Sequence, residues 1–150
     1  MNCFQIIKTG SEFLKKNSIE THIIDSEILL SKVLNKSREE ILINLEQKIN
    51  SKDIDKFQDY LNRRAKNEPV AYIIEEKEFW SKKFKVNKGS LIPRPETELL
   101  VDNLTDTYFG KKISILDVGT GSGCIIISLL SCLKKSKGIG IDISKEAIFL

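Results

Sequence analysis

Over residues 3–66 the apolar positions recur at helical spacing. Phe4, Ile7, Phe13 and Leu14 fit one helical stripe, with Gly10 weakening its middle. Ile23, Ile24, Ile28, Leu29 and Leu30 mark out a stronger one, continued by Val33 and Leu34. Ser37-Arg38-Glu39-Glu40 spells a capping box, the serine capping and the glutamate three positions on reaching back. Ile41, Leu42 and Leu45 follow it. Ser51 is expected to cap a further helix carrying Ile54, Phe57, Tyr60 and Leu61. These features predict a small helical bundle without internal repeats.

The pattern changes near Asn67-Glu68-Pro69. Between Glu76 and Val86, two short strands joined at Ser81-Lys82-Lys83 predict a β-hairpin. In Ile92-Pro93-Arg94-Pro95-Glu96-Thr97-Glu98, Pro95 suits the first turn of a helix, and Glu96 and Glu98 suit the positive end of its dipole. From Ile113 the chain reads as α/β. Ile113–Val118 is expected to be a buried strand, Gly119–Gly123 a glycine loop, Cys124–Leu133 an apolar helix and Ile139–Asp142 a second strand. This is one βαβ unit. A doubly wound sheet needs several, so the chain reads as the front part of a longer protein. The expected division is a helical domain over 1–68, a hairpin linker over 69–92 and the start of an α/β domain over 93–150.

Composition narrows the class. A chain of 150 residues that is 41% hydrophobic and 30% charged is a folded protein rather than a disordered tail. The net charge of +3 permits an anionic partner without demanding one. No apolar run approaches the roughly 18 residues of a membrane span, and Met1-Asn2-Cys3-Phe4-Gln5 lacks the start of a signal peptide. A cytoplasmic protein with no membrane partner is expected. Cys3, Cys124 and Cys132 form no Cys-x-x-Cys pair and the sole histidine is His22, which argues against a metal site or disulfide framework. Cys124 and Cys132 read as buried, inert thiols, and His22 as a surface residue without a partner.

The candidate chemistry lies in Asp117-Val118-Gly119-Thr120-Gly121-Ser122-Gly123. Alternating glycines allow a sharp turn and close approach of a ligand. The loop opens a helix, whose N–H groups and positive dipole end welcome an anionic group. Spacing decides between ligands. The dinucleotide pattern requires glycine or alanine where this chain has Cys124, and the phosphate-binding pattern requires Gly-Lys-Ser/Thr, which is absent. Both a nicotinamide dehydrogenase and a P-loop protein are therefore disfavoured. Asp142 follows Gly123 by 19 residues, at the end of the second strand, where a carboxylate can accept hydrogen bonds from ribose hydroxyls. Asp117 can hold a ligand ammonium; the alternative for either aspartate is a cap or an exposed strand end. Phe79 and Trp80 read as hairpin packing rather than a cofactor stack. Lys82, Lys83, Lys85 and Lys88 read as a solvated strand edge, the alternative being contact with a protein or RNA partner.

The strings Asn67-Glu68-Pro69-Val70-Ala71-Tyr72, Glu78-Phe79-Trp80, Pro93-Arg94-Pro95-Glu96-Thr97-Glu98 and Leu116-Asp117-Val118-Gly119-Thr120-Gly121-Ser122-Gly123-Cys124 closely resemble the HemK-like release-factor glutamine methyltransferases. The likeness runs nearly continuously over residues 67–143. It is looser over the helical part, where Asp25-Ser26-Glu27-Ile28-Leu29-Leu30 is compatible. It implies a helical substrate-docking domain, a hairpin and a class I, Rossmann-like methyltransferase domain. It implies that Gly119, Thr120, Gly121, Ser122, Gly123 and Asp142, with Asp117, contact S-adenosylmethionine. It implies that Arg94, Pro95, Glu96 and Thr97 stand at the active-site entrance. The implied substrate is the glutamine of the Gly-Gly-Gln motif of peptide chain release factors, with no sequence-specific nucleic acid partner. The family's Asn-Pro-Pro-Tyr motif is absent, since Pro69, Pro93 and Pro95 are never adjacent. The resemblance thus assigns no catalytic residue to this chain. The competing readings are a methyltransferase for a ribosomal-protein glutamine or a nucleic-acid amino group, and a non-catalytic binding module.

Overall fold

A computed structural model describes residues 1–149. They form two compact units, Met1–Ile74 and Glu75–Leu150. The first is all helical and the second combines helices with two small sheets, the order of elements expected from the sequence.

The helical unit holds α1 (Cys3–Lys16), α2 (His22–Leu34), α3 (Arg38–Ile43), α4 (Ser51–Ala65) and the short α5 (Val70–Ile74). Its core gathers Cys3, Ile6, Ile7 and Leu14 of α1 with Leu29, Leu30, Ile41, Phe57, Leu61 and Ile73. The buried stripe of α1 is 3-6-7-10-14, so Phe4 lies outside it and is exposed. On α2, Leu29, Leu30 and Val33 are buried while Ile23 and Ile24 are exposed. The Ser37–Glu40 capping box forms as expected. The cap of α4 is Asn50, whose side chain accepts from Asp53 N, and not Ser51; Asn50 has the extended backbone a cap needs. His22 does have a partner: its Nδ1 lies 2.7 Å from Ser11 Oγ. Cys132 is half-buried rather than buried, whereas Cys3 is fully buried.

Gly10 explains how closely α1 packs. A Cβ built there would stand 2.7 Å from Phe57 Cζ and 2.7 Å from Ser26 Oγ. Gly→Ala in a helix usually gains about 1 kcal/mol, but overpacking a tight site costs about 1–3 kcal/mol. Gly10→Ala is therefore expected to lower stability by about 1 kcal/mol in a urea melt. A gain would show that the α1–α4 contact relaxes freely.

In the second unit, β1 (Glu76–Phe79) and β2 (Lys82–Lys85) pair antiparallel. Their turn is Trp80-Ser81, both residues at positive φ, so Lys82 and Lys83 belong to the strand. One hairpin face carries Phe79 and Phe84, packed edge to face at 6.2 Å. The other pairs Glu76 with Lys85 and Glu78 with Lys83, and Lys83 Nζ lies 3.1 Å from Glu76 Oε1. Opposed charges across a strand pair neutralise one another. A 3₁₀ turn at Pro95–Thr97 leads into α6 (Glu98–Tyr108). Glu98 Oε1 accepts from Trp80 N, tying this helix start to the hairpin turn.

The βαβ unit forms as β3 (Ser114–Val118), α7 (Cys124–Cys132) and β4 (Lys137–Ile141), with β3 and β4 parallel. A last short helix, α8, spans Lys145–Ile148. Val101, Cys124 and Leu129 form a core with Phe79 and Phe84, and Ile115 packs on it. β3 is not the buried strand expected from its sequence, and β4 is open in the same way. Leu116, Val118, Ile139 and Ile141 are exposed. Side chains alternate along a strand, and α7 packs on one face alone: the Cβ of an alanine at Gly138 would lie 2.7 Å from Ile126 Cδ1.

Candidate S-adenosylmethionine-binding loop

The glycine loop leaves the C-terminal end of β3 and is bolted to both strands. Gly119 N and Thr120 N donate to Ile141 O at 2.8 and 3.0 Å. Thr120 Oγ1 donates to Asp117 Oδ2 at 2.8 Å, and Gly123 N closes the turn onto Thr120 O at 2.8 Å. Gly119, Gly121 and Gly123 all sit at positive φ, +77°, +55° and +75°. Side chains rarely adopt that region, so three glycines let the loop take this shape at little cost.

The space in front of the loop is open. Cβ atoms built on Gly119 or Gly121 would meet nothing within 4 Å. At Gly123 the neighbour is Ile127 Cδ1 of α7, 2.9 Å away, so that glycine serves helix packing instead. The Ser122 hydroxyl is buried at this helix start, where it helps hold down a Cys124 thiol pKa that burial raises more strongly. A high pKa makes a thiol inert.

Asp142 lies immediately after β4 and reaches the loop. Its Oδ2 accepts from Gly121 N at 2.8 Å and its Oδ1 accepts from Ser144 N at 2.9 Å. The bonds from Ser144 and then Gly121 hold its pKa below the usual aspartate range. A depressed folded-state pKa means that this bracing is present at neutral pH and is lost as pH falls through that lowered value. The sequence placed Asp142 opposite the loop but gave no sign of its bond to Gly121, which depends on how β4 pairs with β3. Asp117 spends one oxygen on Thr120 and is half-buried. Arg94, Pro95 and Glu96 are exposed and Thr97 is half-buried; no hydrogen bond among the described residues joins this segment to the loop.

The amides of Gly119, Thr120, Gly121 and Gly123 are spent inside the protein, so the start of α7 is what remains to face an anionic group, with the Asp142 carboxylate beside the loop. Residues 5–74 match the family described as the PrmC N-terminal domain.

Over residues 5–74 the chain carries the sequence pattern of that domain.

The relatives agree. The chain is 41% identical to the release factor glutamine methyltransferase of Leptospira interrogans, over 95% of this chain and 51% of that protein. It is 39% identical to the protein of that name in Haemophilus influenzae, over 93% of this chain and 53% of that one. A bifunctional methyltransferase of Rickettsia felis is 40% identical over 96% of this chain and 33% of its own length. The chain thus spans a third to about half the length of these curated relatives.

Proposed function

We propose that this chain carries the S-adenosylmethionine cradle and the substrate-docking helices of a protein-glutamine methyltransferase. Its substrate is the side-chain amide of the glutamine in the Gly-Gly-Gln motif of release factors, and it acts in the cytoplasm. The observation that carries the reading is the open, positive-φ glycine loop with Asp142 hydrogen-bonded to it. The relatives' names support the choice of substrate.

The residues fit the cofactor: the loop has free space where a side chain would stand, and Asp142 is ionised with lone pairs left for a sugar hydroxyl. When bound, S-adenosylmethionine supplies a methyl group on a positively charged sulfur. Gly119–Gly123 would bind its amino-acid end, Asp117 its ammonium and Asp142 its ribose. An amide nitrogen is a poor nucleophile because its lone pair is shared with the carbonyl. The protein's task is therefore alignment and exclusion of water. Asp142 serves alignment twice, holding the loop through Gly121 and offering its remaining acceptor sites. The helical unit docks the protein substrate, and Arg94–Thr97 line the entrance.

Two measurements test this at the full length of the relatives. Mass spectrometry of release factor incubated with the enzyme and S-adenosylmethionine is expected to find one methyl on the tip glutamine. An unmodified glutamine beside a methylated ribosomal protein would move the substrate elsewhere. Asp142→Ala is expected to weaken cofactor affinity by about 10- to 150-fold, the equivalent of ~1.5–3 kcal/mol for charged hydrogen bonds. A calorimetric loss under about twofold would remove Asp142 from the site.

A further inference from the structure

The second unit carries its positive charge at one end. Residues 75–150 hold twelve basic and ten acidic side chains. Five of the twelve, Lys111, Lys112, Lys134, Lys135 and Lys137, fall in two segments that enter β3 and β4. Elsewhere in the unit seven basic residues face ten acidic ones. The fold holds the two segments side by side: Lys137 N donates to Ile113 O at 3.2 Å, Ile113 N donates to Ser136 Oγ at 3.3 Å, and Ser136 Oγ donates to Lys111 O at 3.4 Å. Neither segment contains a carboxylate, and all five lysines are exposed.

The simpler use of these lysines is to complement the negative ends of α6 and α7. Lys111 does this. Its Nζ donates to Thr107 O at 2.9 Å and lies 5.4 Å from the centre of the Tyr108 ring. Lys112, Lys134, Lys135 and Lys137 make no side-chain hydrogen bond or ion pair in the structure among the described residues. The hairpin lysines differ, because Glu76 and Glu78 stand opposite Lys85 and Lys83.

We propose that this end of the sheet binds the phosphate backbone of RNA without sequence preference. Exposed ammonium groups on flexible stems suit phosphates as point charges. Protein interfaces deplete lysine at their centre, and the exposed Phe109 beside these lysines suits stacking on a base. The patch lies at the N-terminal ends of the parallel strands, and the glycine loop at their C-terminal ends. Five strand residues separate them, roughly 17 Å, so RNA and cofactor can be held together.

The test is fluorescence anisotropy of the chain with a labelled 15-nucleotide oligouridylate at several salt concentrations. Four lysines releasing counterions from a single strand give a slope of log affinity against log salt of about −3. Lys134→Ala with Lys135→Ala is expected to weaken binding and reduce the slope by about 1.4. Lys82→Ala with Lys83→Ala is expected to leave both unchanged. Thermal melts of the two double variants, matched to the parent, establish that folding is intact. The proposal is overturned if no RNA binds, if the 134/135 variant binds as the parent does, or if labelled oligoglutamate binds as tightly as RNA. That last outcome would assign the patch to an acidic protein surface.

Discussion

Gly121→Val is expected to lower affinity for S-adenosylmethionine by at least about 100-fold, some 2.7 kcal/mol, without unfolding the chain. Two effects combine. At φ +55° a β-branched residue is strained by about 1–2 kcal/mol. Strain at that level is relieved if the loop rotates, which would draw Gly121 N off Asp142 Oδ2. The second effect is occupancy. Beyond its chain neighbours no protein atom lies within 4 Å of the new Cβ, so the isopropyl group meets no wall and would fill the space proposed for the cofactor. Gly110 supplies the control. It too sits at positive φ, +73°, with nothing within 4 Å, but it lies beyond α6 at the other end of the sheet. Gly110→Val carries similar backbone strain and is expected to leave affinity unchanged. Calorimetry on proteins of the relatives' full length separates the outcomes. Equal affinities for the parent and Gly121→Val would mean that the loop is not the cradle.

How much of this was legible in the sequence follows from the range of each interaction. The Ser37 capping box was readable because it closes within four residues. The glycine loop and the distant Asp142 were readable because a fixed spacing records a βα turn and a following strand. The hairpin was readable, but its turn was misplaced by a residue or two, since Trp80 and Ser81 are not the usual carriers of positive φ. Burial was less legible. Ile23 and Ile24 look like core residues, but only the placement of α1 and α4 against α2 decides which stripe of α2 is covered. Gly10 illustrates the same limit. It read as a weak point in a helix and is instead where Phe57 comes closest. The uncovered faces of β3 and β4 were foreseeable, because a single βαβ unit brings one helix and covers one face of its strand pair.

Arg64→Met is expected to destabilise the helical unit by about 3 kcal/mol, the lower end of the cost of stranding one member of a buried ion pair. Asp25 is almost fully buried on α2, and its Oδ2 accepts from Arg64 Nε of α4 at 2.7 Å and from Thr21 Oγ1 at 2.7 Å. Arg64 Nη1 also donates to Glu68 O, and the Glu68 carboxylate takes a two-point bond from Arg63 at 3.0 and 2.8 Å. One arginine therefore joins α2 and α4 to the segment that leads into α5. Methionine keeps much of the buried stem but leaves the Asp25 carboxylate with a single hydroxyl donor. Asp25→Asn with Arg64→Met removes both charges and is expected to recover at least half of the loss, because the larger part of the cost is the unpaired charge rather than the missing bond. Urea melts of the two single variants and the double variant, arranged as a cycle, measure this coupling. If the double variant is as unstable as the sum of the singles, the pair contributes through packing alone, and the helical unit is held by its apolar core without help from this bridge.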